Sequence, residues 1–202
     1  LHGLLSDVTY PSLSGTSVPR DFVEFPSQMM ENWIRNPEVL NEFACHFETG
    51  EKIPKELMDK YLNCQKFNQG FATTEYITAS YLDLAWHTTN NDVDNISDFE
   101  DELYKKISKP KEIDSRYGST YFNHIFSGGY SSSYYSYMWS EVLDSSAFEV
   151  FEKNGIYDKD SGKKLKEFVY SSGNSKDLME QFIKFNGKEP DPQRLLEKRG
   201  LA

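Results

Sequence analysis

The feature that most limits what this chain can fold into is the spacing of its apolar residues. They recur three and four apart in stretch after stretch, and each stretch is stopped by Pro, Gly or a cluster of Ser and Asn. Phe22, Phe25, Met29 and Trp33 line one helical face, beside a polar stripe of Glu24, Gln28, Glu31 and Arg35. Asp21 and Glu24 have capping-box spacing, which starts a helix near Asp21, and Pro26, one turn in, bends it near Glu24. Asn36 caps a helix that begins on Pro37, runs into His46 and Phe47 and stops at Gly50. Another begins at Pro54 with Leu57, Tyr61, Leu62 and Cys64 as its buried side, and Phe67 to Trp86 reads as a central, well-buried helix closed by His87. Helices follow over Asp98 to Ile107, Trp139 to Gly155, Lys163 to Tyr170 after a turn at Asp158–Gly162, and Asp177 to Phe185. Short turns between amphipathic stretches predict an all-α, multi-helix fold over residues 1–202, with strands at most in the loop before Asp21.

Charge narrows the partners. A formal charge of −10 and a pI near 4.9 argue against nucleic acid or an anionic membrane, which need clustered Lys and Arg. No apolar run approaches the roughly 20 residues of a membrane-spanning helix. Cys45 and Cys64 lack metal or redox spacing and read as buried free thiols. Aromatic residues make up 15% of the chain, more than an ordinary core requires, and hint at an aromatic-lined groove. Two unlinked cysteines favour the cytoplasm, with a periplasmic form left open.

The densest chemistry lies between His124 and Trp139. Gly128 and Gly129 let the backbone approach a ligand or take positive φ, and Tyr130, Tyr134 and Tyr137 follow at i, i+4 and i+7, which would put three phenols on one helix face. Such a stripe serves interior packing or, beside Gly-Gly and a run of serines, a ligand surface suited to a sugar or a protein partner. By residue type alone, Glu24 and Glu31 are solvated surface acids.

Three segments together carry a family resemblance. Leu1-His2-Gly3-Leu4-Leu5, Asp21 to Trp33, and His124 through Gly128-Gly129-Tyr130 to Met138-Trp139 resemble, in that order, the zinc peptidases of the thimet oligopeptidase, oligopeptidase A and dipeptidyl carboxypeptidase family. The resemblance implies that the chain starts just after the family's H-E-x-x-H and is the C-terminal part of its catalytic domain. It implies that Glu24 is the third metal ligand and that Glu31 is the carboxylate orienting a metal histidine. It also implies that Tyr137, His124 and Tyr130 are catalytic, with Tyr137 as oxyanion donor, and that Gly128, Gly129 and Tyr134 face substrate. Asp21 to Trp33 and Phe67-Asn68-Gln69-Gly70 look closest to the dipeptidyl carboxypeptidase branch, ahead of oligopeptidase A.

The departure is equally informative. The four histidines are His2, His46, His87 and His124, and no H-E-x-x-H is present. A catalytic zinc site takes three protein ligands and an open position. The 202 residues alone are therefore expected to hold one Zn2+ weakly or not at all and to be inactive without the N-terminal part of the enzyme, whose substrates would be short peptides. The rival expectation is a non-catalytic helical module that binds peptide or protein through the Tyr130–Tyr137 face.

Overall fold

The computed structural model describes all 202 residues, Leu1–Ala202. Helices α1 (His2–Leu5), α2 (Arg20–Val23), α3 (Phe25–Arg35), α4 (Pro37–Phe43), α5 (Lys55–Cys64) and α6 (Gln69–Thr88) come first. They are followed by α7 (Ile96–Lys106), α8 (Asn123–Phe126), α9 (Ser136–Asn154), α10 (Lys159–Leu165), α11 (Leu178–Asn186) and α12 (Pro192–Arg199). The fold is all-α, as the apolar spacing predicts. Two compact units share the chain: Leu1–Phe67 with Met138–Ala202, and Asn68–Tyr137.

In the first unit, the α2–α3 segment follows from its residues. Phe22 N and Val23 N both donate to Pro19 O, and α2 ends at Glu24 (φ −88°, ψ −10°). The ladder resumes when Gln28 N donates to Glu24 O at 2.9 Å. Pro26 brings no N–H to the turn in which Phe22 O would accept one, so the break falls at Glu24. The apolar face goes inward as expected: Phe22, Phe25 and Met29 are buried. Trp33 meets Phe148 and Phe151 edge-on, with ring centroids 5.0 and 4.7 Å away, and its Nε1–H donates to Ile156 O at 2.9 Å.

Helix α9 gives this core Leu143, Ala147, Phe148 and Phe151. Ser140, Asp144 and Ser146, polar residues buried along the same helix, are matched. Ser140 Oγ donates to Asp21 O at 3.1 Å, and Asp191 N donates to Ser146 Oγ at 2.7 Å. Asp144, 2% exposed, accepts from Asn32 Nδ2 at 3.0 Å and from Lys198 Nζ at 2.9 Å, which ties α9 to α3 and α12. His2 is buried between Phe22 and Tyr170, and desolvation holds its imidazole below the usual histidine range.

Several predicted boundaries move. Asn36 does cap α4, accepting from Glu38 N at 2.8 Å, but the helix stops at Phe43 instead of reaching Gly50. His46 Nδ1 accepts from the backbone N–H of Glu48 and Thr49, closing a turn whose flanks pair as an isolated antiparallel bridge between Cys45 and Lys52. Strand-like pairing is therefore here and not before Asp21. Asp158, expected in a turn, is the N-cap of α10, accepting from Ser161 N at 2.7 Å, so helix begins at Lys159 and continues as a π-helix over Lys166–Tyr170. Helix α5 buries only Met58; Leu57 and Tyr61 are exposed, as are both Cys45 and Cys64, against the expectation of buried thiols.

The second unit is built on α6 and α7. Ala79, Leu82, Phe122, Ile125 and Tyr134 form its core, and Trp86 packs at a tilt of 39° on Phe99, centroids 4.3 Å apart, while its Nε1–H donates to Ser119 Oγ at 2.7 Å. Glu100 Oε1 holds Ser119 in turn, accepting from its N–H and hydroxyl at 2.6 Å each. Helix α6 is less apolar inside than predicted. Its buried face is Thr78, Ala79, Ser80, Leu82 and Asp83, whereas Phe71 and Tyr81 are exposed.

Candidate active site: the tyrosine loop and the Glu24 bend

The segment after α8 folds back on that short helix. Ser127 N and Gly128 N both donate to Asn123 O, at 2.9 and 2.8 Å, and Tyr130 N donates to His124 O at 3.0 Å. Gly128 has to be glycine here: a Cβ would lie 2.9 Å from both Cα and O of His124. Gly129 turns the chain at φ 80°, and Ser131 Oγ ties the loop to Ile125 O at 2.6 Å.

This turn brings together the three residues expected to be catalytic. Tyr130 and Tyr137 stack with centroids 5.1 Å apart and planes 16° apart, and the His124 ring lies 6.0 Å from Tyr130 and 6.4 Å from Tyr137. The route differs from the predicted helical stripe. Residues 131–135 form turns, α9 starts only at Ser136, and the phenols meet through the loop instead of along one helix face. Tyr134, expected to face substrate, is 3% exposed; it packs on Phe122 at 4.9 Å and Tyr76 at 5.4 Å, and burial pushes its phenol far above the usual tyrosine range. It acts as the floor under the loop.

Sequence reasoning passed over Asp83. Its carboxylate is fully buried and takes the loop's backbone: Oδ1 accepts from Ser132 N at 2.9 Å and Oδ2 from Tyr134 N at 2.8 Å. His87, one turn on, brings Nδ1 to 2.9 Å from Asp83 Oδ1. The available signal was an acid in the apolar stretch of α6 with a histidine at i+4.

The two carboxylates predicted for the metal are on the other unit. Glu24 is half-buried at the break between α2 and α3, where Ser27 Oγ donates to its Oε2 at 3.2 Å. Glu31 lies two turns along α3, exposed and paired with Arg35 at 2.8 Å. Both are on one helical segment, as predicted. No group of three His, Cys, Asp or Glu side chains in the chain could hold a metal ion, so the residues present do not by themselves make up a three-ligand donor set. A cavity of about 300 Å³ in the same unit, lined among others by Asp21, Phe22, Trp139, Leu143 and Phe182, is bordered by none of the predicted site residues.

The profile of peptidase family M3 matches residues 1–201. The chain belongs to peptidase family M3. The family is generally zinc-dependent. This M3 chain is 39% identical over 206 residues to the dipeptidyl carboxypeptidase of Escherichia coli (strain K12) and 36% identical over 205 residues to the oligopeptidase A of Salmonella typhimurium (strain LT2). Both alignments cover all of this chain and 30% of the relative. An organellar oligopeptidase A of Arabidopsis thaliana is 35% identical over 187 residues, covering 90% of this chain and 24% of its own length. The M3 chain thus spans about 30% of the length of the first curated relatives it matches. The family inferred from the three motifs is the family shown. No helix of the chain is long and apolar enough to cross a membrane.

Proposed function

We propose that this chain forms the C-terminal part of the catalytic domain of a zinc metallopeptidase that hydrolyses short peptides, most like a peptidyl-dipeptidase, with oligopeptidase A-like cleavage next. The observation that carries the reading is the meeting of His124, Tyr130 and Tyr137 over a loop turned by Gly128 and Gly129. The names of the relatives support it, with the dipeptidyl carboxypeptidase at 39% identity and the oligopeptidase A at 36%.

Glu24 would hold the metal together with two histidines of an H-E-x-x-H outside these 202 residues, and Glu31 would orient one of those histidines. When bound, zinc polarises the scissile carbonyl and lowers the pKa of its water. Tyr137 donates its hydroxyl hydrogen to the oxyanion that develops on the carbonyl oxygen, a charge present in the transition state and absent from the substrate. Tyr130 and His124 hold the substrate backbone beside it, on a loop whose close approach to the His124 backbone needs Gly128 and whose turn at φ 80° suits Gly129. Tyr134 supports this surface from below.

Two variants of the complete enzyme test the assignment. Glu24→Ala loses zinc, read by metal analysis after dialysis. Tyr137→Phe keeps zinc and lowers kcat by on the order of 10²- to 10³-fold, the usual loss for one oxyanion donor. A Tyr137→Phe enzyme changed in KM alone overturns the oxyanion role.

A further inference from the structure

We propose that Asp83 is the positioning residue of the tyrosine loop, holding the backbone that presents Tyr130 and Tyr137 to the reacting peptide. The inference rests on the peptidase reading above and deepens it.

Two observations carry it independently. The first is the commitment of a fully buried carboxylate to main chain 49 and 51 residues away: one oxygen takes Ser132 N–H and faces His87 Nδ1, and the other takes Tyr134 N–H. A buried carboxylate persists only where such donors meet it, and bonds to an ionised acceptor are the strong class. The second is the backbone it holds. Ser132 sits at φ 54°, a left-handed conformation that residues with a Cβ rarely adopt and that persists only where surrounding structure enforces it.

Helix α6 adds a further grip on the same residue, because the Tyr76 hydroxyl donates to Tyr134 O. Tyr134 therefore has its N–H held by Asp83 and its C=O by Tyr76, both from α6. Its ring lies 5.5 Å from Tyr137 and 5.7 Å from His124, so whatever fixes Tyr134 fixes the floor on which those two rings rest. The loop itself, with two glycines and three serines between Ser127 and Tyr134, has little stiffness of its own. Order comes from the helix beneath.

The test is Asp83→Asn in the complete enzyme. The amide keeps the shape but replaces one acceptor oxygen by a donor, so one of the two loop N–H groups loses its partner. The expected result is a kcat lower by on the order of 10- to 100-fold with KM little changed, the size of effect that follows from small misplacement of catalytic groups. Hydrogen–deuterium exchange should accelerate in a peptide spanning residues 131–137 and not across the chain. Ser132→Gly, near wild type alone, should restore part of kcat in the Asp83→Asn background, because glycine takes φ near 54° without help. Tyr76→Phe, a gentler change, should lower kcat in the same direction and by less.

Loss of activity with uniformly faster exchange and no rescue by Ser132→Gly overturns the proposal in favour of plain destabilisation. Wild-type kcat in both Asp83→Asn and Tyr76→Phe overturns it outright. The two readings separate through Tyr137→Phe. If that variant slows turnover and Asp83→Asn does not, the anchor is wrong and the peptidase assignment stands. If Asp83→Asn frees the loop and slows turnover while Tyr137→Phe changes nothing, the anchor stands and the oxyanion role fails.

Discussion

Gly128→Ala is the sharpest probe of how the loop is built. The new Cβ would sit 2.9 Å from His124 Cα, 2.9 Å from His124 O and 3.3 Å from Asn123 O, where ordinary contact begins at 3.4 Å. All three are backbone atoms, so no side chain can swing aside and the loop itself must retreat by about 0.5 Å. That retreat pulls on Gly128 N to Asn123 O at 2.8 Å and Tyr130 N to His124 O at 3.0 Å, the bonds that bring Tyr130 back over His124. Overpacking of this kind costs about 1–3 kcal/mol. Displacing Tyr130 and His124 from a productive pose should cost a further 10- to 100-fold in kcat, to order of magnitude. The assay is kcat and KM on a short peptide with the thermal midpoint measured alongside. Gly162→Ala is the control, since its Cβ meets nothing within 4 Å in α10, and it should stabilise by about 0.5–1 kcal/mol. A Gly128→Ala enzyme with wild-type stability and kcat refutes the claim that close backbone approach sets the loop.

Two further predictions concern buried titrating groups in the first unit. Burial raises the Asp144 carboxyl above the usual range, against the opposing pull of Lys198 and Asn32. The folded state then keeps this proton to a higher pH than the unfolded chain does, so stability falls as pH rises from the unfolded value of about 3.9 through the raised folded one. Asp144→Asn removes that loss, and its stability relative to wild type should be better at pH 7 than at pH 4 in paired melts; an equal difference at both pH values contradicts it. Tyr170 donates to Pro26 O at 2.9 Å, and burial pushes its phenol up to about 12. Tyr170→Phe should cost about 1 kcal/mol at neutral pH. The cost should shrink as pH climbs from 10 towards 12, where only the unfolded tyrosine ionises freely; denaturant melts at pH 8 and 11 check this.

The parts of the fold legible in the sequence are those decided by neighbours in the chain. Pro26 has no N–H whatever surrounds it, so the break at Glu24 follows from one residue type and its place in an apolar repeat. Asn36 before Pro37 works the same way. The expectations that moved each depended on a competition or on tertiary packing. Asp158 serves equally in a turn or as a cap, and here it caps. The His46 ring takes two N–H groups in a tight turn just beyond the end of α4, where the expected helix would have continued. Burial of Leu57, Tyr61 and the cysteines depends on packing partners, which periodicity does not supply.

The site divides along the same line. The motif around Gly128 is readable because glycine's special conformations are local, and the rings of His124, Tyr130 and Tyr137 that the motif contains lie within 6.4 Å of one another. Their geometry was misread. A spacing of i, i+4, i+7 invites a helix, yet residues 131–135 turn, and the turn puts Tyr134 beneath its neighbours instead of beside them. What enforces that turn is Asp83, 49 residues from Ser132, and nothing in the local pattern of the loop reveals that its left-handed serine is held from α6. A loop of Gly and Ser adjacent to aromatic rings therefore poses a physical question that its own residues do not answer: which distant group receives its N–H bonds. In this chain a buried acid does, and the residues that bear the proposed chemistry inherit their order from it.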